Sequence, residues 1–470
     1  MRPAWKFSIP ATRVTLHDYI QSMHQPRHIN RVRKSLMHSF IRAPLRYLHY
    51  SLVLLVLFTT CTHASTANAQ SPRLVGYFTQ WSIYGSNYQV RDIATSGAAQ
   101  RLTHLHYAFG NVRNNLCEVG VNQASDPSTG AGGDAYADYT RNVNAAQSVD
   151  GVADTDTQPL RGNWNQLRKL KAMYPHLKVV MALGGWSWSS GFASAARPEN
   201  RQAFVASCID AYIRGNLPVV DGAGGPGAAL GVFDGFVLDW EFPVVCGLTC
   251  GTPEDRANYT GLIAEFRRQL DAVRPGLLLA VDAGAGIDKI RVTDPGVYQR
   301  YLDYIDVMTY DFHGGSSDTI TNHHSALFHS PFDPSTGDKR YYNSTDAILA
   351  FLKRGVPAHK LNLGIGFYGQ GWKDVANINN GLYQAGNNAG VSKYNVLKTH
   401  AGNDYYDHHA FAHWKYDKVN STFWSYDDPA MANIKGGYVK ALGLGGAFFW
   451  ELSGDDEQGG LLNALYEGLH

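Results

Sequence analysis

Eight short apolar runs, widely spaced and separated by longer amphipathic stretches, restrict the fold of this chain more than any other feature. They are Leu74–Tyr77, Leu102–Phe109, Val179–Leu183, Gly235–Leu238, Leu277–Val281, Ile305–Met308, Leu361–Ile365 and Ala447–Trp450. Each is short enough to be a strand, and a continuous apolar run marks a strand covered on both faces. Between them, Asn163–Met173, Asn200–Arg214, Arg256–Val273 and Thr345–Arg354 have amphipathic, helix-like character. Strands alternating with helices form parallel βαβ units, and eight such units predict an α/β fold, a (β/α)8 TIM barrel. An open doubly wound sheet is the rival, but the sequence has no Gly-rich phosphate fingerprint for one.

Two stretches break the rhythm. Residues 113–160 read as a long polar loop after the second strand, rich in Gly, Asp, Ser and Ala. Residues 373–423, rich in Tyr, His and Asn, interrupt the last βα unit. The second is long enough for a small α+β insertion before the eighth strand, beside the C-terminal mouth of the barrel. The catalytic barrel is expected over 70–470, with one short helix after the eighth strand.

Residues 1–69 read as a leader. Leu52–Phe58 is an unbroken apolar run preceded by Arg42 and Arg46 and followed by the small-x-small site Ala67-Asn68-Ala69. That order is the signature of a secretory signal peptide, and the run is too short for a permanent membrane span. The region before it is long for a signal; a start at Met37 would give the usual length. Cys61 sits in a poor lipidation context behind Phe58, Thr59 and Thr60. The mature protein is therefore expected outside the cell, free of the membrane and monomeric. Cleavage after Ala69 leaves Cys117, Cys208, Cys246 and Cys250, an even number that suggests disulfides in an exported chain. Cys246 and Cys250 are close enough to staple one loop, leaving Cys117 with Cys208, but four cysteines permit three pairings and the sequence does not choose. No His with ligand spacing accompanies them, so zinc is not expected.

Forty-one basic against forty acidic residues argue against a nucleic-acid partner, which normally meets a basic excess. The 27 Tyr, 20 Phe and 10 Trp suit a different partner, because flat rings stack on the apolar faces of sugars.

The chemistry concentrates in Phe233-Asp234-Gly235-Phe236-Val237-Leu238-Asp239-Trp240-Glu241-Phe242-Pro243. Asp239 and Glu241 stand two apart at the C-terminal end of the fourth strand, so strand alternation turns both to the same side. That side is the barrel mouth, where active sites of this fold lie. Close carboxylates resist double ionisation, so one retains a proton near neutral pH, as a general acid for glycoside cleavage must.

This segment resembles the D-G-x-D-x-D-x-E signature of family 18 glycoside hydrolases at Asp234, Gly235, Asp239 and Glu241. Ala182-Leu183-Gly184-Gly185-Trp186 is similar to the family's S-x-G-G motif, and Met308-Thr309-Tyr310-Asp311 to its M-x-Y-D motif. Trp424-Ser425-Tyr426-Asp427-Asp428 and Gly445-Gly446-Ala447-Phe448-Phe449-Trp450-Glu451 are similar to the approach to the eighth strand and the strand itself. Through Cys246-Gly247-Leu248-Thr249-Cys250 the chain also resembles secreted bacterial chitinases of actinobacterial type.

The resemblance implies endo-acting hydrolysis of chitin and chitooligosaccharides by a substrate-assisted, retaining route with no cofactor. It implies Glu241 as general acid and base, Asp239 as the group stabilising an oxazolinium intermediate, and Tyr310 as the residue aligning the substrate's acetamido oxygen. It assigns Asp311 and Trp450 to the sugar at the cleavage point and matches Tyr77, as a site residue, to a first-strand Tyr of the family; Trp186, Trp81 and Trp372 are read beside it as rings that stack on further sugars, with core packing as the rival reading. Taken without the resemblance, Trp450 and Tyr77 are ordinary core residues, and Tyr310 and Asp311 an ordinary strand end.

The chain departs from the family pattern at two places. Val237 replaces the middle Asp of the signature, and Ala182 replaces the Ser of the third-strand motif. In typical members that Ser, with a Tyr matching Tyr77, supports the charge of the middle Asp. Losing both ends of a buried polar contact costs less than losing one. The expectation is that Asp239 stays turned toward Glu241 without that partner, with activity reduced and its pH profile altered. Two rival functions fit the same motifs: a chitin-binding lectin, which would usually lack Glu241, and an endoglycosidase acting on the chitobiose core of N-glycans.

Overall fold

The computed structural model describes residues 71–470; the expected leader and signal peptide lie outside them. Eight parallel strands form the barrel: β1 (Arg73–Thr79), β2 (His104–Arg113), β3 (Lys178–Gly184), β4 (Gly235–Asp239), β5 (Leu278–Gly284), β6 (Tyr304–Met308), β7 (Leu361–Gly366) and β8 (Gly446–Trp450). Each pairs with the next, and β8 pairs back onto β1 with Val75 opposite Phe448. Closure removes the sheet edges that an open sheet would have to protect.

Alternation along these strands divides the apolar residues between two cores. The outward set, including Phe78, Leu105, Met181, Leu238, Val281 and Ile305, packs against the helices. The inward set is Val75, Tyr77, Ala108, Val180, Ala182, Val237, Ala280, Tyr304 and Phe448. Small residues on β2 to β5 face rings from β1, β6 and β8, so the interior is filled rather than hollow.

The covering helices are α1 (Gly162–Met173), α2 (Arg201–Cys208), α3 (Asp255–Val273), α4 (Ser344–Lys353), α5 (Pro429–Ala441) and α6 (Gly460–Leu469). α3 buries Tyr259, Leu262, Ile263, Phe266 and Leu270, a single stripe at helical spacing. α5 begins where Asp428 accepts a hydrogen bond from the Met431 N–H and Pro429 fills the first turn. No helix among the described residues is long and apolar enough to cross a membrane.

Between β7 and β8 the chain builds a five-stranded antiparallel sheet from Tyr368–Lys373, Asn387–Lys393, Asn403–Asp407, Ala412–Asp417 and Thr422–Tyr426. Its core is Trp372, Val375, Leu382, Trp414, Tyr416 and Phe423. The polar stretch after β2 is more ordered than its composition suggests. Asn122–Asp126 and Ala131–Asp134 form a hairpin whose turn is tied by Asp126 accepting from the Ser128 N–H at 3.0 Å. Its first strand is exposed and without apolar alternation, so hydrophobic pattern could not reveal it. Cys117 is joined to Cys208 and Cys246 to Cys250.

Candidate active site

At the end of β4, Val237 and Asp239 face the barrel interior while Trp240 points outward. Trp240 stacks on Phe192 with 5.5 Å between ring centroids and meets the edge of Tyr259 at 5.8 Å. That outward anchor fixes the alternation and delivers Glu241 to the mouth. The Glu241 backbone N–H donates to Ser189 Oγ at 2.8 Å, and the same hydroxyl lies 3.1 Å from the Asp239 carbonyl oxygen. Ser189 thus ties the loop after β3 to the end of β4.

The Gly184-Gly185 pair has a steric reason. Gly184 sits at φ +96°, and a Cβ there would fall 2.5 Å from the Asp239 carbonyl oxygen. Gly185 sits at φ +69°, where a Cβ would strike the Phe109 ring. Only glycine allows β3 to approach the carboxylate strand this closely.

Asp239, Glu241, Tyr310, Asp311, Trp450, Trp81 and Trp186 all line one cavity of about 1100 Å³ at the C-terminal mouth. Trp81 and Trp186 are 46% and 49% exposed, so their faces are open to the lumen rather than used in the core. Trp450 stacks on Phe109 at 5.4 Å and touches Tyr77 and Trp81, giving the cavity an aromatic floor.

Two residues expected to bind substrate lie elsewhere. Trp372 is fully buried in the core of the inserted sheet, where its indole N–H donates to the Asp318 carbonyl at 2.8 Å. Tyr368 and Gln370 of the same strand do line the cavity, and Trp372 follows them in alternation, but Val375, Leu382 and Phe423 enclose its ring in the core of the inserted sheet. Tyr77 is also buried, beneath the cavity floor, and its hydroxyl donates to Asp282 Oδ2 at 2.5 Å. Tyr77 therefore keeps a carboxylate partner despite Val237 and Ala182, because β5 supplies one.

The electrostatics follow from burial and crowding. Burial, then the charges of Asp239 and Asp311, push the Glu241 carboxyl well above its usual range, with Lys289 opposing. Burial, then Asp282 and Asp306, push Asp239 well up. Burial and the nearby carboxylates also raise the Tyr310 hydroxyl, keeping it a donor. Asp311 behaves oppositely. Burial alone would raise it, but His324, Tyr368 and Gln370 outweigh that and hold it below the usual carboxylate range. Gln370 Nε2 donates to Asp311 Oδ1 at 2.7 Å, and the Tyr368 hydroxyl donates to Oδ2. Burial and crowding thus raise Glu241 while hydrogen bonds lower Asp311, so neighbouring carboxyls of one site are pushed apart in pKa.

Sequence reasoning missed Ser189, Lys289, Tyr368, Gln370 and Asp282. Ser189 and Lys289 lie on turns and carry no pattern. Asp282 had a signal: a carboxylate inside an apolar strand is rarely buried without a partner.

The glycosyl hydrolases family 18 model matches residues 73–455. Chitinase C of Streptomyces lividans is 41% identical over 400 residues, covering 82% of this chain; the chain spans 58% of that protein's length. Chitinase 1 of Aphanocladium album is 30% identical over 404 residues, covering 84% of each. Among solved structures, the catalytic domain of the psychrophilic chitinase B from Arthrobacter TAD20 superposes with a TM-score of 0.80 at 39% identity, over 85% of this chain and 95% of that one. With the motifs standing at one barrel mouth and the family model covering most of the described chain, this protein belongs to family 18 of the glycosyl hydrolases.

Proposed function

We propose that this protein is a secreted, monomeric chitinase that cuts within chains of β-1,4-linked N-acetylglucosamine. The observation that carries the reading is the pair Asp239 and Glu241, crowded together in an aromatic-lined cleft with both carboxyls raised above their usual range. The cleft exceeds the usual pocket for one small ligand, which supports binding of several sugar rings and an endo mode of attack.

In this account Glu241 gives its proton to the glycosidic oxygen as the bond from that oxygen to C1 breaks. The carbonyl oxygen of the substrate's own 2-acetamido group closes onto C1 and forms an oxazolinium ring. Asp239 accepts the acetamido N–H and opposes the positive charge that develops there. The Tyr310 hydroxyl holds the acetamido oxygen in line. Asp311 and Trp450 receive the distorted sugar, while Trp81 and Trp186 stack on rings further along. Glu241 then takes a proton from water as that water opens the ring at C1, so the configuration is retained and Glu241 ends protonated as it began. Family 18 is an exception to the two-carboxylate scheme, with the substrate supplying the nucleophile.

Incubation with N-acetylglucosamine oligomers and, separately, with a high-mannose glycoprotein tests the substrate. Release of short oligomers whose new reducing end is first seen as the β-anomer is the expected result. Cleavage of the glycoprotein alone would move the reading to an endoglycosidase, and binding of oligomers without cleavage would move it to a lectin.

A further inference from the structure

Val237 of β4 and Ala182 of β3 are paired in register, both fully buried among the apolar residues of the barrel interior. The next strand carries what they lack. β5 pairs Ala280 with Val237 and Val281 with Leu238, so Asp282 stands one step further, beside Asp239. On its other side Asp282 is in register with Asp306 of β6. Asp282 accepts the Tyr77 hydroxyl through Oδ2, while its Oδ1 and the Oδ1 of Asp239 are both buried without a hydrogen-bond partner. Two adjacent carboxylates in that state are relieved together when one carries a proton toward the other.

Resting on the hydrolase reading above, we propose that Asp282 is a positioning residue for the reaction, anchored by Tyr77 and holding Asp239 from β5 as a carboxylate at Val237 would from β4. The electrostatics agree: after burial, Asp282 is the largest influence raising Asp239. The titratable groups facing Asp282 are Tyr77 of β1, Asp239 and Glu241 on and beyond β4, and Tyr304, Asp306 and Tyr310 on and after β6, with Tyr259 of α3 behind them. His106 lies 3.6 Å from Asp306, and Arg73 acts on the cluster through Asp306 and Tyr304.

Kinetics of Asp282→Asn on an N-acetylglucosamine oligomer, with thermal melting as the check on folding, test this. A fall in kcat of about 10- to 100-fold with KM within about threefold is expected, the size of a misplaced reacting group. Removing a charge that raises Asp239 also moves the acid limb of the pH profile to lower pH. Moving the carboxylate back, as Val237→Asp with Ala182→Ser and Asp282→Ala, restores most of the kcat lost in Asp282→Ala. If Asp282→Asn does not fold, Tyr77→Phe, which removes only the anchoring hydroxyl, must show the same kcat loss. A wild-type protein that cleaves with an Asp282→Asn or Tyr77→Phe variant unchanged in kcat and pH profile overturns this inference alone. A wild type that cleaves no oligomer overturns the hydrolase reading, and this inference with it.

Discussion

At the scale of single residues, the working of the site depends on which carboxyl keeps a proton. Glu241 is raised by burial and by Asp239 and Asp311, and Lys289 pulls the other way. Lys289 stands on the short turn of helix after β5, its ammonium 5.1 Å from the centre of the Phe242 ring. As the acid, Glu241 works only while protonated, so activity is lost as pH rises through its raised pKa. Lys289→Met removes the group that lowers that pKa; the alkaline limb of the kcat profile is expected to move to higher pH, and a limb that stays put or moves down would contradict it. The carboxylates themselves were legible in the sequence because two residues apart on a strand means one side of the sheet. Trp372 was not, since alternation gives it the face of Tyr368 and Gln370 but does not reveal that Val375 and Leu382 pack over its ring. Tyr77 was legible as a core residue and, through the resemblance, as a site residue; its burial below the cavity was not, because strand periodicity gives direction and not depth.

At the scale of elements, the barrel strands announced themselves because they are apolar on both faces, and the hairpin beside the cavity did not because its strands are polar and short. Fastening of elements to each other was equally invisible. Lys435 of α5 is buried and donates to Asp427 at 2.5 Å, to the Ser325 carbonyl at 2.7 Å and to Ser325 Oγ at 2.6 Å. Asp427 is itself buried, so this pair clamps α5 to the approach to β8 and to the segment after β6. Breaking such a pair leaves a lone buried charge, whereas replacing both partners with apolar groups can be close to neutral. Lys435→Ala is expected to lower the unfolding free energy by about 3–5 kcal/mol in denaturant titration. Lys435→Met with Asp427→Leu is expected to recover most of that loss; a double variant as unstable as the single one would contradict this reading of the clamp.

At the scale of the whole molecule, closure of the barrel brings residues far apart in sequence to one mouth, and the disulfide Cys117–Cys208 adds a covalent tie across a sequence separation of 91. A bridge over so long a loop restricts the unfolded chain far more than Cys246–Cys250, which spans 4. Replacing Cys117 and Cys208 together by Ser is expected to cost about 2–5 kcal/mol of stability, and replacing Cys246 and Cys250 distinctly less. Equal losses in paired melting experiments would contradict the loop argument. The order of eight strands was readable along the sequence; the fifth-strand carboxylate that keeps Tyr77 partnered was not, because it depends on which strand lies beside which once the barrel is closed. The most direct measurement is a product time course on N-acetylglucosamine oligomers with the wild type and with Glu241→Gln. The account predicts steady release of short oligomers by the wild type and a loss of at least about a hundredfold in the variant, which has no proton to give and no base to accept one. A Glu241→Gln protein that cleaves at the wild-type rate would contradict it.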